Sequence, residues 1–168
     1  MAIVSDNQVM KSAKNKVPGN SDLQWHWCAL ETMAPVLLYD LLALREAIFV
    51  VEQSCIYQEL DGLDKTADHL LVVQKEKVVA CLRVLPPGVA GNQARIGRVA
   101  VSPGWRKRGL ARLMVQNAID KIQADYPSLG ICLDAQTYLQ DFYLSLGFKV
   151  CGGEFLEDGI PHIPMRMG

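Results

Sequence analysis

The spacing of apolar residues along the chain predicts its secondary structure. Residues 23–30 alternate and carry two tryptophans, which is typical of a strand. Residues 35–53 predict a helix that begins near Pro35, a residue suited to the first turn. Apolar side chains then recur every three or four positions: Leu37, Leu41, Leu44, Ile48 and Val51. Two further apolar runs, 69–74 and 78–85, flank a short charged turn and predict a β-hairpin.

The second half of the chain adds two more helices and four strands. The remaining predicted elements are a strand over 94–102, a helix over 110–125, a strand over 131–135, a helix over 137–147 closed by Gly147, and strands over 148–152 and 160–167. We expect the last strand to lie at a sheet edge, because Pro164 cannot donate a hydrogen bond to a neighbouring strand. The order β-α-β-β-β-α-β-α-β-β indicates an α/β domain with helices packed on a mixed sheet.

Composition is consistent with one globular domain. Of 168 residues, 50% are hydrophobic and 21% charged, which favours a single domain over 21–168 after a flexible tail at 1–20. The net charge of −1 argues against a dedicated nucleic-acid binder, and no apolar run reaches the roughly 18 residues that span a bilayer. Five cysteines, an odd number with no close pair, favour reduced thiols and a cytoplasmic location, and they predict no metal site.

The stretch 102–114, "SPGWRKRGLARLM", is the strongest functional signal in the residues themselves. Three cations and Gly109 precede a predicted helix, whose first N–H groups are unpaired and carry about half a positive charge. This arrangement suits a phosphate or pyrophosphate group. A P-loop is excluded, because Leu110 and Ala111 replace the required Lys and Ser/Thr, and the GxGxxG fingerprint of dinucleotide sites is absent. A solvated basic helix start without a ligand stays open as the alternative.

The motif "RxxGxA" after the strand "RIGRVAV" resembles the acetyl-CoA-binding motif of the GNAT acyltransferases. "DFYLSLGF" (141–148) is similar to a second GNAT segment, and three further stretches resemble the ElaA-like branch: "LREAIFVVEQSCIYQELDGLD", "AQTYLQDFY" and "EDGIPHIPM". The chain departs from the family at Ala111, where many members have glycine, and at Ala135-Gln136, where many have asparagine. The resemblance implies a single GNAT-like domain, with a mixed, mostly antiparallel sheet of six to seven strands flanked by about four helices.

The same resemblance implies where acetyl-CoA would bind. The amides of residues 106–111 would hold its pyrophosphate, and the backbone of Val99 and Val101 would pair with its pantetheine arm like a short extra strand. The residues expected to contact the cofactor are Val99, Ala100, Val101, Arg106, Lys107, Arg108, Gly109, Leu110, Ala111 and Phe142. Tyr143 would stand near the cofactor sulfur, although its place on an apolar helix face also fits simple core packing.

Acetyl transfer to an amine requires a base and benefits from an acid. A primary amine has a pKa near 10.4, so a general base must remove its proton at neutral pH. The candidates are His162 and Glu52 first, with Asp61, Asp64 and His69 behind them. Tyr143 would protonate the departing thiolate, and strand amides would stabilise the oxyanion. The transfer needs no covalent acyl-enzyme.

Three functions therefore remain to be distinguished. The first is an acetyl-CoA-dependent N-acetyltransferase acting on a primary amine of a small molecule or peptide. The acidic segment 52–64 would suit a cationic acceptor of this kind. The second is an acyl-CoA-binding sensor or partner protein without turnover, and the third is nucleic-acid binding through Trp105 and residues 106–108. A monomer or a homodimer is expected, with no membrane partner.

Overall fold

A computed structural model describes residues 22–168, so the predicted tail at 1–20 lies outside the described residues. Eight strands form one mixed sheet: β1 (Gln24–Ala29), β2 (Asp68–Gln74), β3 (Lys77–Leu85), β4 (Ala94–Val101), β5 (Ile131–Gln136), β6 (Lys149–Val150), β7 (Phe155–Glu157) and β8 (Ile160–Met167). The order across the sheet is β1-β2-β3-β4-β5-β8-β6, and β7 also pairs with β8. Only β4 and β5 pair in parallel within the described part, so the predicted mostly antiparallel sheet is confirmed.

Three α-helices are found in the described part, rather than about four. They are α1 (Pro35–Arg45), α2 (Leu110–Asp125) and α3 (Gln140–Leu144), and the other helical turns are short 3-10 segments or a π-helical extension of α1. The strand number is also higher than the predicted six to seven, because the short strand β7 has no apolar alternation that would reveal it. The helix predicted over 137–147 is shorter in the structure, where α3 covers only Gln140–Leu144. A 3-10 turn precedes α3, and Gly147, at φ +96°, follows it.

The two helices α1 and α2 cover opposite faces of the sheet. The predicted apolar face of α2 is confirmed, because Leu110, Met114, Ala118 and Ile122 are buried in a core with strands β2 to β5. A second core lies beneath α1 and includes Leu41, Leu71 and Cys81. None of the helices in the described residues is long and apolar enough to cross a bilayer.

The helix that begins at Pro35 changes type before it ends. From Glu46 to Glu52 it is a π-helix, and two backbone amides beyond it still bond five residues back: Gln53 to Ile48 (3.3 Å) and Cys55 to Val50 (3.1 Å). A wider turn changes the angle at which successive side chains leave the helix. Val51, predicted on the apolar face by a period of 3.6, is therefore 69% exposed.

The last long strand is not at an edge, which corrects the expectation from Pro164. β8 runs between β5 on one side and β6 and β7 on the other. The Cys151 amide donates to the Pro164 carbonyl (2.9 Å), so the backbone of Pro164 faces the β6 side of β8. Strand β6 has already ended there at Val150, and the N–H that Pro164 lacks is therefore not needed for strand pairing. Gly152 is needed there, because a Cβ on it would come within 2.6 Å of the Pro164 ring.

Candidate functional site

The candidate site begins where β4 parts from β5. These two parallel strands pair only at Ala94–Ile131 and Arg95–Cys132, so the rest of β4 has no strand against that edge among the described residues. The Ser102 amide donates to Val79 of β3 (2.9 Å), and backbone groups alternate between the two edges of a strand. The backbones of Val101 and Val99 therefore face the open edge, whereas Ala100 pairs with Cys81 of β3.

A β-bulge in β4 determines which of its backbone groups face the open edge. Cys81 lies opposite Ala100 and Arg83 opposite Gly97, so three steps along β4 match two along β3. The extra residue reverses the alternation of side chains. Ala94 and Ile96 pack in the core beneath α2, but Ala100 packs beneath α1, while Val99 and Val101 return to the α2 side.

The open edge of β4 leads to the N-terminus of α2. Gly109 forms the N-cap at φ +77°, where a side chain would be strained, and no side chain caps the helix. The amide of Arg106 donates to Pro103 (3.3 Å), but no backbone acceptor within the described residues is found for the amides of residues 107–109. Uncapped amides and the positive end of a 16-residue helix can hold an anion here.

The basic side chains before α2 are only partly available to such an anion. Arg106 makes two hydrogen bonds to the Glu52 carboxylate, both of 2.8 Å, and its Nε donates to the Val101 carbonyl (2.9 Å). The Arg108 guanidinium lies over the Trp105 ring, 5.0 Å from its centroid. Of the predicted contacts, the Arg106 side chain and the Val101 carbonyl thus already have partners in the protein.

The pairing with Arg106 also changes Glu52, one of the two leading candidates for the base. The Arg106 hydrogen bonds hold the pKa of Glu52 below its usual range. A carboxylate that binds protons weakly and is engaged by a guanidinium is a poor proton acceptor from an amine.

Tyr143 is both a core residue and a candidate acid. It is only 6% exposed on α3, and it makes edge-to-face contacts with Phe142 (4.9 Å between ring centroids) and Phe148 (5.9 Å). Burial, with a smaller contribution from Tyr138, raises the pKa of Tyr143 to about 12. Its phenol therefore stays protonated at neutral pH, as a proton donor requires.

His162 lies on β8 with a defined ring orientation. Its Nδ1 donates to the Ile160 carbonyl (2.8 Å), so the neutral ring keeps its lone pair on Nε2, which is 3.8 Å from the Glu157 carboxylate. On the neighbouring strand β5, Gln136 lies opposite His162 in the sheet register. The Gln136 side-chain amide exchanges hydrogen bonds of 3.3 and 3.5 Å with Gln53. The sequence marked Gln136 only as a departure from the family pattern, and its contact with Gln53 was not predictable, because it joins positions 83 residues apart.

The other candidate bases lie in a buried network of charges. Three carboxylates (Glu59, Asp61, Asp64) pair with three arginines (Arg45, Arg83, Arg98). The pKa values of Asp61 and Asp64 are lowered, because hydrogen bonds and charges of these arginines outweigh burial, which acts to raise them. His69 is 1% exposed, its Nε2 donates to the Asp64 carbonyl (3.2 Å), and burial lowers its pKa.

This network argues against the expectation that the acidic segment 52–64 attracts a cationic acceptor. The carboxylates of segment 52–64 are neutralised by arginines, including Glu52 by Arg106, so the segment does not present a free acidic surface to a cationic acceptor. Arg98 was missed as a site-building residue, since nothing in its local sequence distinguishes it from a surface arginine.

Two further observations concern thiol reactivity and metal binding. The five cysteines are free thiols, and burial raises the pKa of Cys81 to about 12 and that of Cys28 to about 11, so neither is an activated nucleophile. Within the described residues, no group of three or more His, Cys, Asp or Glu side chains could hold a metal ion. The expectation of a metal-free site stays a prediction.

Comparison with known proteins identifies the family of the chain. Residues 39–168 match the model of the acetyltransferase (GNAT) domain. Protein ElaA of Escherichia coli is 37% identical over 145 residues, which cover 85% of this chain and 95% of ElaA.

Solved structures give the same result for the fold. The crystal structure of Escherichia coli ElaA superposes with a TM-score of 0.82 over 87% of this chain and 99% of that one, at 34% identity. An acyl-CoA N-acyltransferase from Pseudomonas aeruginosa gives 0.83 at 37% identity, with the same coverage. A GNAT acetyltransferase from Elizabethkingia anophelis, solved with acetyl-CoA bound, shares the fold at a TM-score of 0.58 and 15% identity, over 88% and 99% of the two chains. The chain belongs to the GNAT acyltransferase family, and ElaA is among its relatives.

Proposed function

We propose that this protein is an acetyl-CoA-dependent N-acetyltransferase that acts on a primary amine by direct attack, without an acyl-enzyme. The observation that carries the proposal is the open backbone edge of β4, which is followed, after the turn over 102–108, by the uncapped N-terminus of α2 at Gly109. An extended arm that ends in a pyrophosphate needs these two features in this order. Acetyl-CoA supplies the acetyl group as a thioester.

The residues around the open edge fit the cofactor in detail. The amides of residues 107–111 would hold the pyrophosphate, with Lys107 and Arg108 adding charge. The Val99 backbone faces the open edge and would pair with the pantetheine arm, while Ala100, Leu110 and Phe142 support the site from the core. Because the Arg106 side chain is bound to Glu52, we assign it to shaping the loop rather than to charge neutralisation.

Two side chains would move protons. His162 Nε2 would accept the proton of the amine, directly or through water, and the Glu157 carboxylate 3.8 Å away would stabilise the resulting imidazolium. Tyr143, which stays protonated with a pKa of about 12, would protonate the departing thiolate. A backbone amide of the open β4 edge would stabilise the developing oxyanion. His162 is preferred to Glu52 as the base, because Arg106 engages the Glu52 carboxylate and lowers its pKa.

Cofactor binding is tested first by isothermal titration with acetyl-CoA. Gly109→Glu places a carboxylate at the proposed anion site and should abolish binding. Gly88→Glu, in the loop between β3 and β4, is the matched control. Gly88 also has a positive φ (+93°, against +77° for Gly109), and a Cβ at either position would meet no atom within 4 Å. Equal binding by both variants, or no binding by the wild type, would sink the cofactor assignment.

Turnover is tested next by release of free CoA in the presence of a panel of primary amines. Tyr143→Phe should reduce kcat by about 10²-fold or more and leave acetyl-CoA affinity nearly unchanged. Tyr126→Phe, at the end of α2, is the control with the same chemical change. The alternative function, a sensor without turnover, predicts binding of acetyl-CoA with no amine-dependent release and no effect of Tyr143→Phe on binding.

A further inference from the structure

The bulge in β4 is built on an arginine in an unfavourable backbone conformation. Arg98 has φ +53°, in the left-handed region that costs a non-glycine residue about 1–2 kcal/mol. A residue stays in this region only when its surroundings determine its conformation. Since Arg98 is the extra residue that turns the Val99 backbone toward the open edge, what holds Arg98 also holds the edge that faces the cofactor.

The side chain of Arg98 supplies that constraint. Its Nε donates to the Glu59 carboxylate (2.7 Å), and a terminal nitrogen donates to the Glu59 carbonyl (3.3 Å) and to Asp61 (3.2 Å). Glu59 is only 8% exposed and also binds Arg45 of α1 at 2.7 Å. Charged hydrogen bonds to partly buried partners are stronger and more directional than neutral ones.

The rest of the charge network fixes the partners in turn. Asp61 makes two hydrogen bonds of 2.7 Å to Arg83 of β3, and Asp64 links Arg83 to Arg45. Three positive and three negative charges thus join α1, the 59–64 segment, β3 and the β4 bulge. A shift of the 59–64 segment would be transmitted to Arg98, because Glu59 and Asp61 are its partners.

We propose that Arg98 is a positioning residue for acetyl transfer, and that its pairing with Glu59 holds the Val99 amide toward the thioester carbonyl. The inference rests on the proposed function, because it concerns the same site. Arg98 itself does not touch the reacting atoms, since its side chain is directed into the charge network. The network therefore serves the reaction geometry as well as the fold.

The test is Arg98→Gly, which removes the side-chain constraint while glycine tolerates the positive φ. We expect kcat for CoA release to fall about 10- to 100-fold. The Kd for acetyl-CoA should rise by no more than about threefold, because only the Val99 contact to the pantetheine arm is loosened and α2 keeps the pyrophosphate contacts. Arg98→Lys, which keeps the charge but lacks the planar fork, should recover part of the lost kcat. Arg95→Gly is the matched control on the same strand, because Arg95 also pairs with a carboxylate, Asp134.

The outcomes separate this inference from the proposed function. If the wild type does not bind acetyl-CoA or release CoA, the proposed function fails. If the wild type turns over and Arg98→Gly behaves as Arg95→Gly does, only the inference is overturned. If Arg98→Gly does not fold, Arg98→Lys decides: a wild-type kcat overturns the inference, and a reduced kcat at unchanged Kd supports it.

Discussion

The charge network should make the protein sensitive to acid, and Asp61 allows the size of the effect to be worked out. Burial acts to raise the pKa of Asp61, but the Arg83 hydrogen bonds, the Leu63 amide and the charges of Arg83 and Arg98 outweigh it and lower the pKa from 3.8 to about 2. That shift corresponds to about 2 kcal/mol of stability at neutral pH. Because the Asp61 side chain is 27% exposed, screening by solvent reduces this contribution to stability to about 1–2 kcal/mol.

The direction of the pH effect follows from the lowered pKa. Between about pH 4 and pH 2 the unfolded chain binds the proton that native Asp61 does not, so stability falls as the pH falls through this window. Asp61→Asn removes this titration. The stability difference between wild type and Asp61→Asn should therefore be about 1–2 kcal/mol larger at pH 6 than at pH 2.5.

Urea unfolding at several pH values, followed by circular dichroism, measures this difference. Both proteins should show the same dependence on urea concentration, so that the midpoints can be compared as free energies. A difference that stays constant from pH 6 to pH 2.5 would refute the reasoning, because it would show that Asp61 titrates alike in the native and unfolded chains. A difference that grows toward acid pH would refute it too.

Three simpler changes test other parts of the structure. Met114→Ala, at a position with no exposed surface in the α2 core, should lower the free energy of unfolding by about 2–5 kcal/mol in urea titration, and a loss below 1 kcal/mol would contradict the packing. Gly109→Ala should cost about 1 kcal/mol, seen as a lower thermal midpoint, because the positive φ is strained although a Cβ there meets no atom within 4 Å. A thiol reagent should modify exposed Cys151 quickly in the native protein and Cys81 only after unfolding; equal rates would contradict the burial of Cys81.

The elements with long apolar periodicity were predictable from the sequence. Helix α2 agrees with its predicted bounds, and the strands β1 to β5 agree within about two residues, because each buries apolar side chains against a core. The motif at 106–111 was found for a related reason. A loop that presents backbone amides at a helix start needs glycine at a fixed position, and Gly109 is visible in the sequence.

The features that shape the site were not predictable in the same way. The β4 bulge and the π-helical end of α1 each alter a local period by one residue, and neighbouring residues do not specify such a change. The partners of Arg98 lie 37 and 39 residues away, so the charge network is visible only in the fold. Pro164 misled the prediction because a strand interior to the sheet can still have a free side where its neighbour ends.

The end of β6 at Val150, beside Pro164 of β8, also affects how the sheet edge can contact other molecules in solution. A strand with an unpaired edge can recruit the same strand from another chain, and long flat edges do so most readily. Here the chain leaves the sheet at Cys151, passes over Pro164 at Gly152, and returns as β7, so this side of β8 is covered by strands of two and three residues. An edge divided into such short pieces is a poor template for association, so the break in pairing beside Pro164 makes this side of the sheet less suited to recruiting another chain.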